Sequence, residues 1–433
     1  MTARTSWLRG IACSAALALA MSAGSAQAEL AAEWQGAAMQ LIKQAKWPGP
    51  QRQRALAILH TAMFDAANAA GGNYQAYAYD GPGGPAEVRE AAVTQAALTV
   101  MQTLIPERAE VLQQIADSHL DAAASPEILG QGIALGRAAA EAVLQARLED
   151  GADFSADFTP AKAAPGIYQP TSERAMAAPR IRHMTPFVLS SADHFPVPPP
   201  PALDSMQFHR DLAEVARLGG AAQEASEEVT TIAKLHAGSG SGAWNQIALG
   251  GSARCGLDLL EEARLLALLN LALTDALVAG FNAKYEYAFW RPETAMAALG
   301  KGFEHPELAP GTPWSSRIPA PMHPEYPCQH CTSGSAAQEV MESVFGDGEF
   351  SFTFTNGKGL ERDYTSFRQF AEEEAESRVL AGVHYRRSNT VGDMLGHQIG
   401  TYIVQNALQP QNGAGTAECT PGELSNVSSK LSY

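Results

Sequence analysis

The tract from Leu259 to Leu299 constrains the fold most, because it is the longest stretch with helical periodicity in the chain. Its leucines recur on all sides rather than along one stripe: Leu265, Leu268, Leu269, Leu271 and Leu273. A helix that is apolar almost all round is buried in the core of a large protein. The tract therefore predicts a central helix with other helices packed around it.

Further helices are predicted along the chain, and the first four of them begin at a proline or directly after one. They cover Gln51–Ala70, Pro85–Leu104, Pro106–Ala123, Pro126–Leu148, Ser205–Leu218, Ala221–Leu235, Ser333–Phe345, Phe367–Val383 and Val391–Ala407. Phe350–Phe354 alternates phenylalanine with polar residues, which fits a short strand or a loop equally well. The pattern predicts an all-α protein with little or no β-structure.

Two segments lack this periodicity. Residues 150–201 are rich in Pro and Ala and end in a run of prolines, and about 50 residues without an element are unusual in a compact domain. Because the motif residues described below all follow it, we interpret it as an extended segment that wraps a single domain, residues 29–409. Residues 410–433 are rich in Gly, Ser and Thr and predict a flexible tail.

Residues 1–28 have the features of a secretory signal. Two arginines precede a short apolar run, Ile11–Met21, and residues 26–28 read A-Q-A, a small-residue cleavage site. The run is far shorter than the roughly 20 residues that span a bilayer, and charged residues interrupt the nearest later candidate, Leu259–Phe289. We expect a soluble, secreted protein without a membrane span, periplasmic in a Gram-negative source.

The chain is acidic, with a formal charge of −16 that becomes −18 once the two arginines leave with the signal. Such a surface repels nucleic acid, so we expect no nucleic-acid partner. Four cysteines follow the signal, and they allow three pairings. We predict disulfides, as an oxidising compartment permits, between Cys328 and Cys331 or between Cys255 and Cys419.

The first motif, K-Y-E-Y-A-F-W-R-P, runs from Lys284 to Pro292. On a helix, Lys284 and Arg291 lie close to two turns apart, so both cations would project from one face. Four aromatic residues around them argue for burial, and two buried like charges are costly unless an anion joins them. A solvated pair on an exposed face is the alternative.

The second motif, E-Y-P-C-Q-H-C, runs from Glu325 to Cys331 just before a predicted helix. A helix N-terminus attracts anions, and His330 could exchange a proton with one. Zinc binding by the cysteines with His330 and His323, a redox pair, and a structural disulfide remain open. The third motif places Arg378 six residues before His384, a donor fork and a ring nitrogen suited to a phosphate-type oxyanion.

In this order the motifs resemble the vanadium-dependent haloperoxidases and the related type 2 phosphatidic-acid and class A acid phosphatases. Their pattern is K-x6-R-P, then P-S-G-H, then S-R-x5-H-x3-D. The chain matches it at Lys284, Arg291, Pro292, Pro327, His330, Ser377, Arg378 and His384. The resemblance extends more loosely from about Gln51 to Gly400 and implies two four-helix bundles, with an oxyanion at the end of one.

The resemblance also implies a role for each residue. His384 would bind the vanadium of vanadate or, in a phosphatase, become a phosphohistidine. His330 would be the acid–base group, Lys284, Arg291 and Arg378 would neutralise the oxyanion, and Lys284 would also polarise peroxide in catalysis. The backbone of Gln329 and the side chain of Cys328 would add donors to the same oxyanion.

The chain departs from the pattern at three positions. Cys328 and Gln329 replace its serine and glycine, and Ser388 stands where an aspartate is expected, which leaves His384 without a carboxylate partner unless Asn389 or Asp393 substitutes. On the halide side, His323 stands where chloroperoxidases tend to carry phenylalanine and bromoperoxidases histidine, which favours bromide.

We therefore expect a vanadate-dependent haloperoxidase-like enzyme that oxidises halide with hydrogen peroxide. An acid phosphatase acting on a phosphate ester through the same pocket is the first alternative. A non-catalytic oxyanion- or metal-binding homologue, with its site closed by a Cys328–Cys331 disulfide, is the second. The organic acceptor remains open, and so does the oligomeric state, although an oligomer is possible in principle.

Overall fold

The computed structural model describes residues 30–120, 125–238, 240–411, 419, 422–424 and 427–428. The signal predicted for residues 1–28 lies outside these residues. The described chain contains thirteen α-helices: residues 30–44 (α1), Gly49–Ala69 (α2), Arg89–Leu104 (α3), Ala109–Leu120 (α4), Pro126–Ala146 (α5), Met206–Leu218 (α6), Glu227–Leu235 (α7), Gly240–Cys255 (α8), Leu259–Tyr287 (α9), Pro292–Ala298 (α10), Gln329–Phe345 (α11), Phe367–Leu380 (α12) and Arg386–Asn406 (α13). The all-α class is confirmed.

Helix α9 is the central helix that the leucine pattern predicts. Asp258 and Glu261 form a capping box at its start, which satisfies backbone N–H groups that a helix end leaves unpaired. Within the described chain, α9 is the one helix long and apolar enough to cross a membrane, and 89% of its apolar 18-residue window is buried inside the protein. The long apolar stretch of α9 is therefore part of the buried core of the protein.

Two groups of helices pack along α9. In the first group, α2 contacts α3, α5 and α9. In the second group, α11 contacts α12 and α13, and both α11 and α13 contact α9. With α9 included in each, these are two four-helix bundles, and one helix is common to both.

The tract Leu259–Leu299 is not one continuous helix, which corrects the prediction from its periodicity. Helix α9 ends before Ala288, which is left-handed with φ 43°, and α10 begins at Pro292. A residue before proline is disfavoured in the helical region, so Arg291 is extended, with φ −78° and ψ 154°, and caps α10. Lys284 and Arg291 therefore do not share one helix face.

Two helix starts also differ from the predicted ones. Helix α7 begins at Glu227 rather than Ala221, because the Ser226 side chain caps it. Helix α11 begins at Gln329, earlier than the predicted Ser333, and Cys328 is its N-cap residue. The earlier start places the second motif directly at a helix N-terminus.

The extended segment at residues 150–201, all of which are described, contains one 3-10 turn, Ile181–His183, and no α-helix or strand. It is bound to the central helix through Asp275 of α9. The Asp275 carboxylate accepts the N–H groups of Phe187, Val188 and Leu189 at 2.6 to 2.9 Å. Burial raises the pKa of Asp275 to about 6, although these three N–H groups act in the opposite direction.

A small sheet lies beyond α11. Strand β1 (Phe350–Thr355) pairs antiparallel with β2 (Glu361–Tyr364), so the strand interpretation of Phe350–Phe354 is confirmed. Two short strands of the C-terminal segment, β3 (Gly422–Glu423) and β4 (Val427–Ser428), pair with β1 in parallel. The flexibility predicted for residues 410–433 stays a prediction, because most of them lie outside the described residues.

Both predicted cysteine pairs are confirmed. Cys255, at the end of α8, is bonded to Cys419, and Cys328 is bonded to Cys331 at the start of α11. The first bond ties the C-terminal segment to α8, and the second lies within the second motif, at the N-terminus of α11.

His397 links the two most extensively packed helices of the second bundle. Its Nδ1 lies 2.8 Å from Glu339 of α11 and its Nε2 lies 3.4 Å from Asp393. The hydrogen bond to Asp393, followed by the one to Glu339, raises the pKa of His397 to about 9.

A pH-dependent stability follows for His397. Because its folded pKa exceeds its unfolded value, the stabilisation is complete below about pH 6.5 and is lost as pH rises through about 9. The side chain is 38% exposed, so solvent screening limits the contribution to about 1 kcal/mol. We expect the stability difference between wild type and His397→Gln to shrink between about pH 6 and pH 10 in urea unfolding. A difference that grows with pH contradicts this.

Candidate active site

Lys284, in the last turn of α9, is fully buried and binds the loop before α11. Its Nζ donates to the carbonyl oxygens of Pro324 at 3.2 Å, of Glu325 at 3.0 Å, and of Pro327. An ammonium group has three protons, so all three are used within the protein. Burial and then Arg291 hold the pKa of Lys284 well below its usual value. The structure therefore makes Lys284 a support of this loop.

Arg291 connects the loop before α11 with the turn between α12 and α13. Its Nε donates to the His323 carbonyl at 3.1 Å, and its Nη1 donates to the Val383 carbonyl at 2.7 Å. Nη1 also lies 3.2 Å from His384 Nε2, and Nη2 lies 3.1 Å from His323 Nδ1. Burial lowers the pKa of Arg291 to about 10, against the effect of Glu325, so the guanidinium is charged near neutral pH.

A glycine turn places His384 beside Arg291. Gly382 has φ 77°, and a Cβ there would lie 2.3 Å from the Gly219 carbonyl oxygen, so only glycine fits. The N–H groups of Val383 and His384 both donate to the Arg378 carbonyl, at 3.1 and 3.3 Å. The chain therefore folds back directly after α12, and His384 faces the loop before α11.

Glu325 orients the ring of His384. Its Oε1 lies 2.8 Å from His384 Nδ1 and accepts the Tyr385 N–H at 3.0 Å. A guanidinium can only donate, so Nε2 of His384 accepts from Arg291 and the ring proton is on Nδ1. Burial and then Arg291 hold the pKa of His384 well below its usual value. The result is a neutral imidazole whose Nε2 lone pair faces the cations.

This carboxylate partner corrects the sequence-based candidates. Asn389 donates to the Ala375 carbonyl, and Asp393 accepts from Ser335, so neither takes the place of the expected aspartate. Glu325 belongs to the second motif, and its position there, next to an aromatic residue and a proline, was the available signal. Burial raises its pKa to about 7, while Arg291 and Lys284 act in the opposite direction.

We expect Glu325→Gln to weaken oxyanion binding at His384 by about 10- to 100-fold, the usual cost of removing an outer hydrogen-bond partner of a ligating histidine. The amide retains the size of the carboxylate but loses its charge, so the Nδ1–H tautomer is less favoured. Phosphate or vanadate affinity by calorimetry, with the nitrogen NMR shifts of His384, measures both effects. An unchanged affinity together with an unchanged tautomer would exclude this role.

Arg378, in the last turn of α12, is buried and has unused donors. Its side chain is 1% exposed, and its Nε and Nη1 have no hydrogen-bond partner among the described residues. Burial and then Arg291 lower its pKa to about 10, while Glu374 raises it. It therefore remains charged near neutral pH. Buried donors without partners are costly, and an oxyanion would satisfy these two.

The two remaining histidines of the predicted site are neutral near neutral pH. Burial and then Arg378 hold the pKa of His330 well below its usual value, and burial and then Lys284 do the same for His323. His330 lies in the first turn of α11, and both rings line one cavity. His330 lies between this cavity and the cationic residues, so it is suited to accept or donate a proton there.

The side chains of Cys328 and Gln329 offer fewer hydrogen-bond donors to an oxyanion than the sequence predicts. As half of a disulfide, Cys328 has no S–H to donate, and its sulfur accepts the Cys331 N–H at 3.2 Å. The Gln329 side chain donates to the Ala276 carbonyl at 3.2 Å and to Ser333 at 3.0 Å. Their role as oxyanion ligands stays a prediction, and the donor that fits it is the backbone N–H of Gln329 at the start of α11.

The structure thus brings the three motifs together. Lys284, Arg291 and Arg378 outnumber the adjacent carboxylates of Glu325 and Glu374, and an unprotonated ring nitrogen lies among them. In the described part of the chain, no group of three or more His, Cys, Asp or Glu side chains is arranged to hold a metal ion. The disulfide also removes the two thiolates that zinc binding would need. This set of donors fits a tetrahedral oxyanion.

Comparison with known proteins identifies one matching domain and several similar folds. Residues 264–413 match the family model of the VCPO second helical-bundle domain. A bacterial vanadium-dependent iodoperoxidase has a similar structure, with a TM-score of 0.75 and 24% identity over 89% of this chain and 98% of that chain. The holo form of a bacterial vanadium-dependent chloroperoxidase gives a TM-score of 0.67 and 17% identity over 82% of this chain and 92% of that chain.

The apo form of a bacterial vanadium-dependent chloroperoxidase gives a TM-score of 0.68 and 16% identity over the same shares. No curated protein sequence matches the chain. The matched region contains most of α9 and all three motifs, and the shared fold covers both bundles. The region that matches the family model includes the second helical bundle, and the chain shares the fold of these vanadium-dependent haloperoxidases.

Proposed function

We propose that the protein is a vanadate-dependent haloperoxidase-like enzyme that oxidises halide with hydrogen peroxide. The observation that carries the proposal is Arg378, whose buried Nε and Nη1 have no partner among the described residues, close to the neutral His384. A folded protein has little reason to bury a cation in this way unless an anion completes its hydrogen bonds.

The residues present fit vanadate. Arg378 and the N-terminal N–H groups of α11 would donate to its oxygens, and Nε2 of His384 would bind vanadium in place of its contact with Arg291 Nη1. Arg291 would then turn that donor toward the oxyanion. Lys284, whose protons are all used on carbonyls, would contribute charge across the site. When bound, vanadate supplies the activation of hydrogen peroxide toward halide.

The chain's own residues have separate tasks in this proposal. Glu325 fixes the tautomer of His384 through Nδ1, as its 2.8 Å contact indicates. His330 is neutral and accepts or returns a proton on the cavity side. Burial of Lys284, Arg291 and Arg378 excludes water, so their charges act at low dielectric and are only weakly screened.

For the halide, we propose that bromide is preferred to chloride. His323 lines the cavity and lies against Arg291, so a halide arriving there meets a polar ring and a cation. The similar solved structures are of an iodoperoxidase and chloroperoxidases, so the ranking needs measurement. Oxidation rates for chloride, bromide and iodide under one set of conditions give it, and chloride oxidation at or above the bromide rate contradicts the preference.

The function is tested with purified protein, with and without vanadate. We expect phenol-dye bromination that requires vanadate and peroxide together, and its loss in His384→Ala along with vanadate affinity. Hydrolysis of p-nitrophenyl phosphate that vanadate inhibits, without bromination, would instead indicate a phosphatase. If neither activity appears and His384→Ala binds vanadate as wild type does, the assignment of the site is wrong.

We also propose that the protein is exported. Its two disulfides support this, because such bonds persist in oxidising compartments. N-terminal sequencing of protein from the periplasmic fraction is expected to begin at Glu29. Recovery of the unprocessed chain from the cytosol would contradict the proposal.

A further inference from the structure

The Cys328–Cys331 disulfide adds little to the stability of the fold. Its two cysteines are 3 residues apart, whereas Cys255 and Cys419 are 164 residues apart. A disulfide stabilises a protein mainly by constraining the unfolded chain, and the effect grows with the length of the loop that it closes. The Cys255–Cys419 bond therefore acts as a cross-link of the fold, and the shorter pair is better explained by its chemistry.

The backbone of Cys328 is held in place without the disulfide. Its N–H donates to the Ser388 carbonyl at 3.1 Å, and its carbonyl accepts the Thr332 N–H at 3.1 Å and the Thr332 hydroxyl at 2.9 Å. Gly392 of α13 packs on the same turn, where a Cβ would lie 2.5 Å from the Cys328 carbonyl oxygen and 3.1 Å from Cys331 Cβ. Reduction of the S–S bond would therefore leave the Cys328 sulfur close to its present position.

The Cys328 sulfur occupies the N-cap position of α11. It accepts the Cys331 N–H at 3.2 Å, one of the backbone donors that a helix N-terminus offers to an anion. The ammonium group of Lys284 binds the carbonyl of Pro327, the residue before it. Thiols at helix N-termini, beside cations and in C-x-x-C pairs ionise readily to thiolates. A reduced Cys328 would therefore place a negative charge at the helix end that the oxyanion is expected to use.

Both sulfurs lie close to a cavity that admits a small oxidant. Gln329 and His330 stand between the two cysteines in the chain, and both line the cavity of about 410 Å³ beside the site. Hydrogen peroxide is small and uncharged, so the cationic residues do not oppose its entry. In the cavity, peroxide would be no more than one residue along the chain from either cysteine.

We propose that Cys328 and Cys331 are a redox switch of the oxyanion site. In the dithiol form, the Cys328 thiolate takes up the N-terminal donors of α11 and repels the oxyanion. Hydrogen peroxide converts the pair into the disulfide, which carries no charge, and the site can then bind. Activation by the oxidant that the enzyme consumes rests on the proposed haloperoxidase function, whereas the effect on oxyanion binding does not depend on it.

The oxidation balances with hydrogen peroxide as the sole co-reactant. The Cys328 thiolate attacks one peroxide oxygen, the O–O bond breaks, and a sulfenic acid and water form with the uptake of the proton that the thiol had released. The Cys331 thiol then displaces the hydroxyl group from that sulfur as a second water. Two thiols and one peroxide thus give one disulfide and two waters, and two electrons pass from the sulfurs to the peroxide oxygens.

Two variants that both lack the disulfide test the charge of the sulfur. Cys331→Ala leaves a free thiol at Cys328, and Cys328→Ser/Cys331→Ala places there a hydroxyl that does not ionise. Inorganic phosphate is the probe because thiols reduce vanadate, and calorimetry without air at about pH 8 gives its affinity. We expect Cys331→Ala to bind phosphate about tenfold or more weakly than wild type, and the double variant to bind within about threefold of wild type.

Cys255→Ala/Cys419→Ala is the matched control for the loss of a disulfide, because it removes the longer cross-link and leaves no thiol at the site. We expect it to leave phosphate affinity unchanged. In urea unfolding it should be less stable than Cys328→Ser/Cys331→Ala, because the bond that it removes closes the longer loop.

The second arm uses the natural cysteine pair. In the triple variant Cys13→Ala/Cys255→Ala/Cys419→Ala, Cys328 and Cys331 are the two cysteines that remain in the chain. The protein is refolded in dithiothreitol, freed of the reductant without air and titrated with phosphate before and after one equivalent of hydrogen peroxide. We expect peroxide to remove two hydrogen atoms, as mass spectrometry measures, and to raise phosphate affinity about tenfold or more.

Different results overturn the switch and the proposed function. The switch is wrong if Cys331→Ala binds phosphate as wild type does, if the double variant binds as weakly as Cys331→Ala, or if peroxide does not restore affinity. A double variant that binds much more tightly than wild type would show instead that the disulfide closes the site. If oxidised wild type does not brominate with vanadate, bromide and peroxide, the haloperoxidase function is wrong, and the phosphate affinities still decide the switch.

Discussion

Replacing Arg378 by methionine is expected to weaken oxyanion binding by about 100-fold and to leave the unfolding free energy of the free protein within about 1 kcal/mol of wild type. The loss of affinity corresponds to about 2.7 kcal/mol, the usual cost of one preorganised donor to an oxyanion. Stability is spared because Nε and Nη1 have no partner among the described residues, so their removal breaks no hydrogen bond within the protein. Methionine fills a similar volume without charge.

Calorimetry with vanadate or phosphate gives the affinity, and urea unfolding without either anion gives the stability. Arg368→Met is a suitable control, since Arg368 lies on the same helix with 59% of its side chain exposed. Arg378→Met that unfolds at a much lower urea concentration, or that binds vanadate as wild type does, would contradict the interpretation of Arg378 as an anion ligand.

Lys284→Met is expected to affect stability more than oxyanion affinity. We expect a loss of about 3 to 5 kcal/mol in unfolding free energy. The variant leaves three buried carbonyl oxygens, of Pro324, Glu325 and Pro327, without a donor. It also removes a cation that lowers the pKa of buried Glu325. An oxyanion cannot compensate, because it accepts hydrogen bonds and the three carbonyls need a donor.

Urea unfolding of Lys284→Met beside Arg378→Met separates support of the loop from anion binding. The decisive comparison uses protein without added anion, because a bound anion would stabilise wild type selectively. If Lys284→Met is as stable as wild type and loses only oxyanion affinity, then Lys284 is a direct ligand and the loop carbonyls find other donors.

The sequence predicts those parts of the structure that depend on local pattern. The leucine distribution identifies α9 as core, and the periodicity of Phe367–Val383 locates α12 and with it Arg378. The order of the motifs also predicts that Lys284, Arg291 and His384 meet, because the family resemblance assigns all three to one oxyanion site. Burial of all three agrees with that expectation.

The remaining features depend on how distant segments face one another. Glu325 and His384 are 59 residues apart, and no periodicity relates a loop carboxylate to a turn on another helix. The family pattern instead places the expected carboxylate at Ser388, with Asn389 and Asp393 as the nearby candidates. Likewise, the sequence predicts both Lys284 and Arg378 as cations of the site. Only the three-dimensional directions of the loop carbonyls show that the Lys284 ammonium is fully hydrogen-bonded, whereas Arg378 keeps donors without a partner among the described residues.

The Cys328–Cys331 disulfide bears on how long the protein can work. A free thiol beside a peroxide-consuming site would be oxidised stepwise to sulfenic and then sulfinic acid, and the later steps are irreversible. A sulfur already bonded to a second sulfur has no such thiolate to lose. If exported as proposed, the proposed haloperoxidase would therefore have this position protected, and damage elsewhere, such as at Met39 and Met322 in the cavity wall, would limit its number of turnovers.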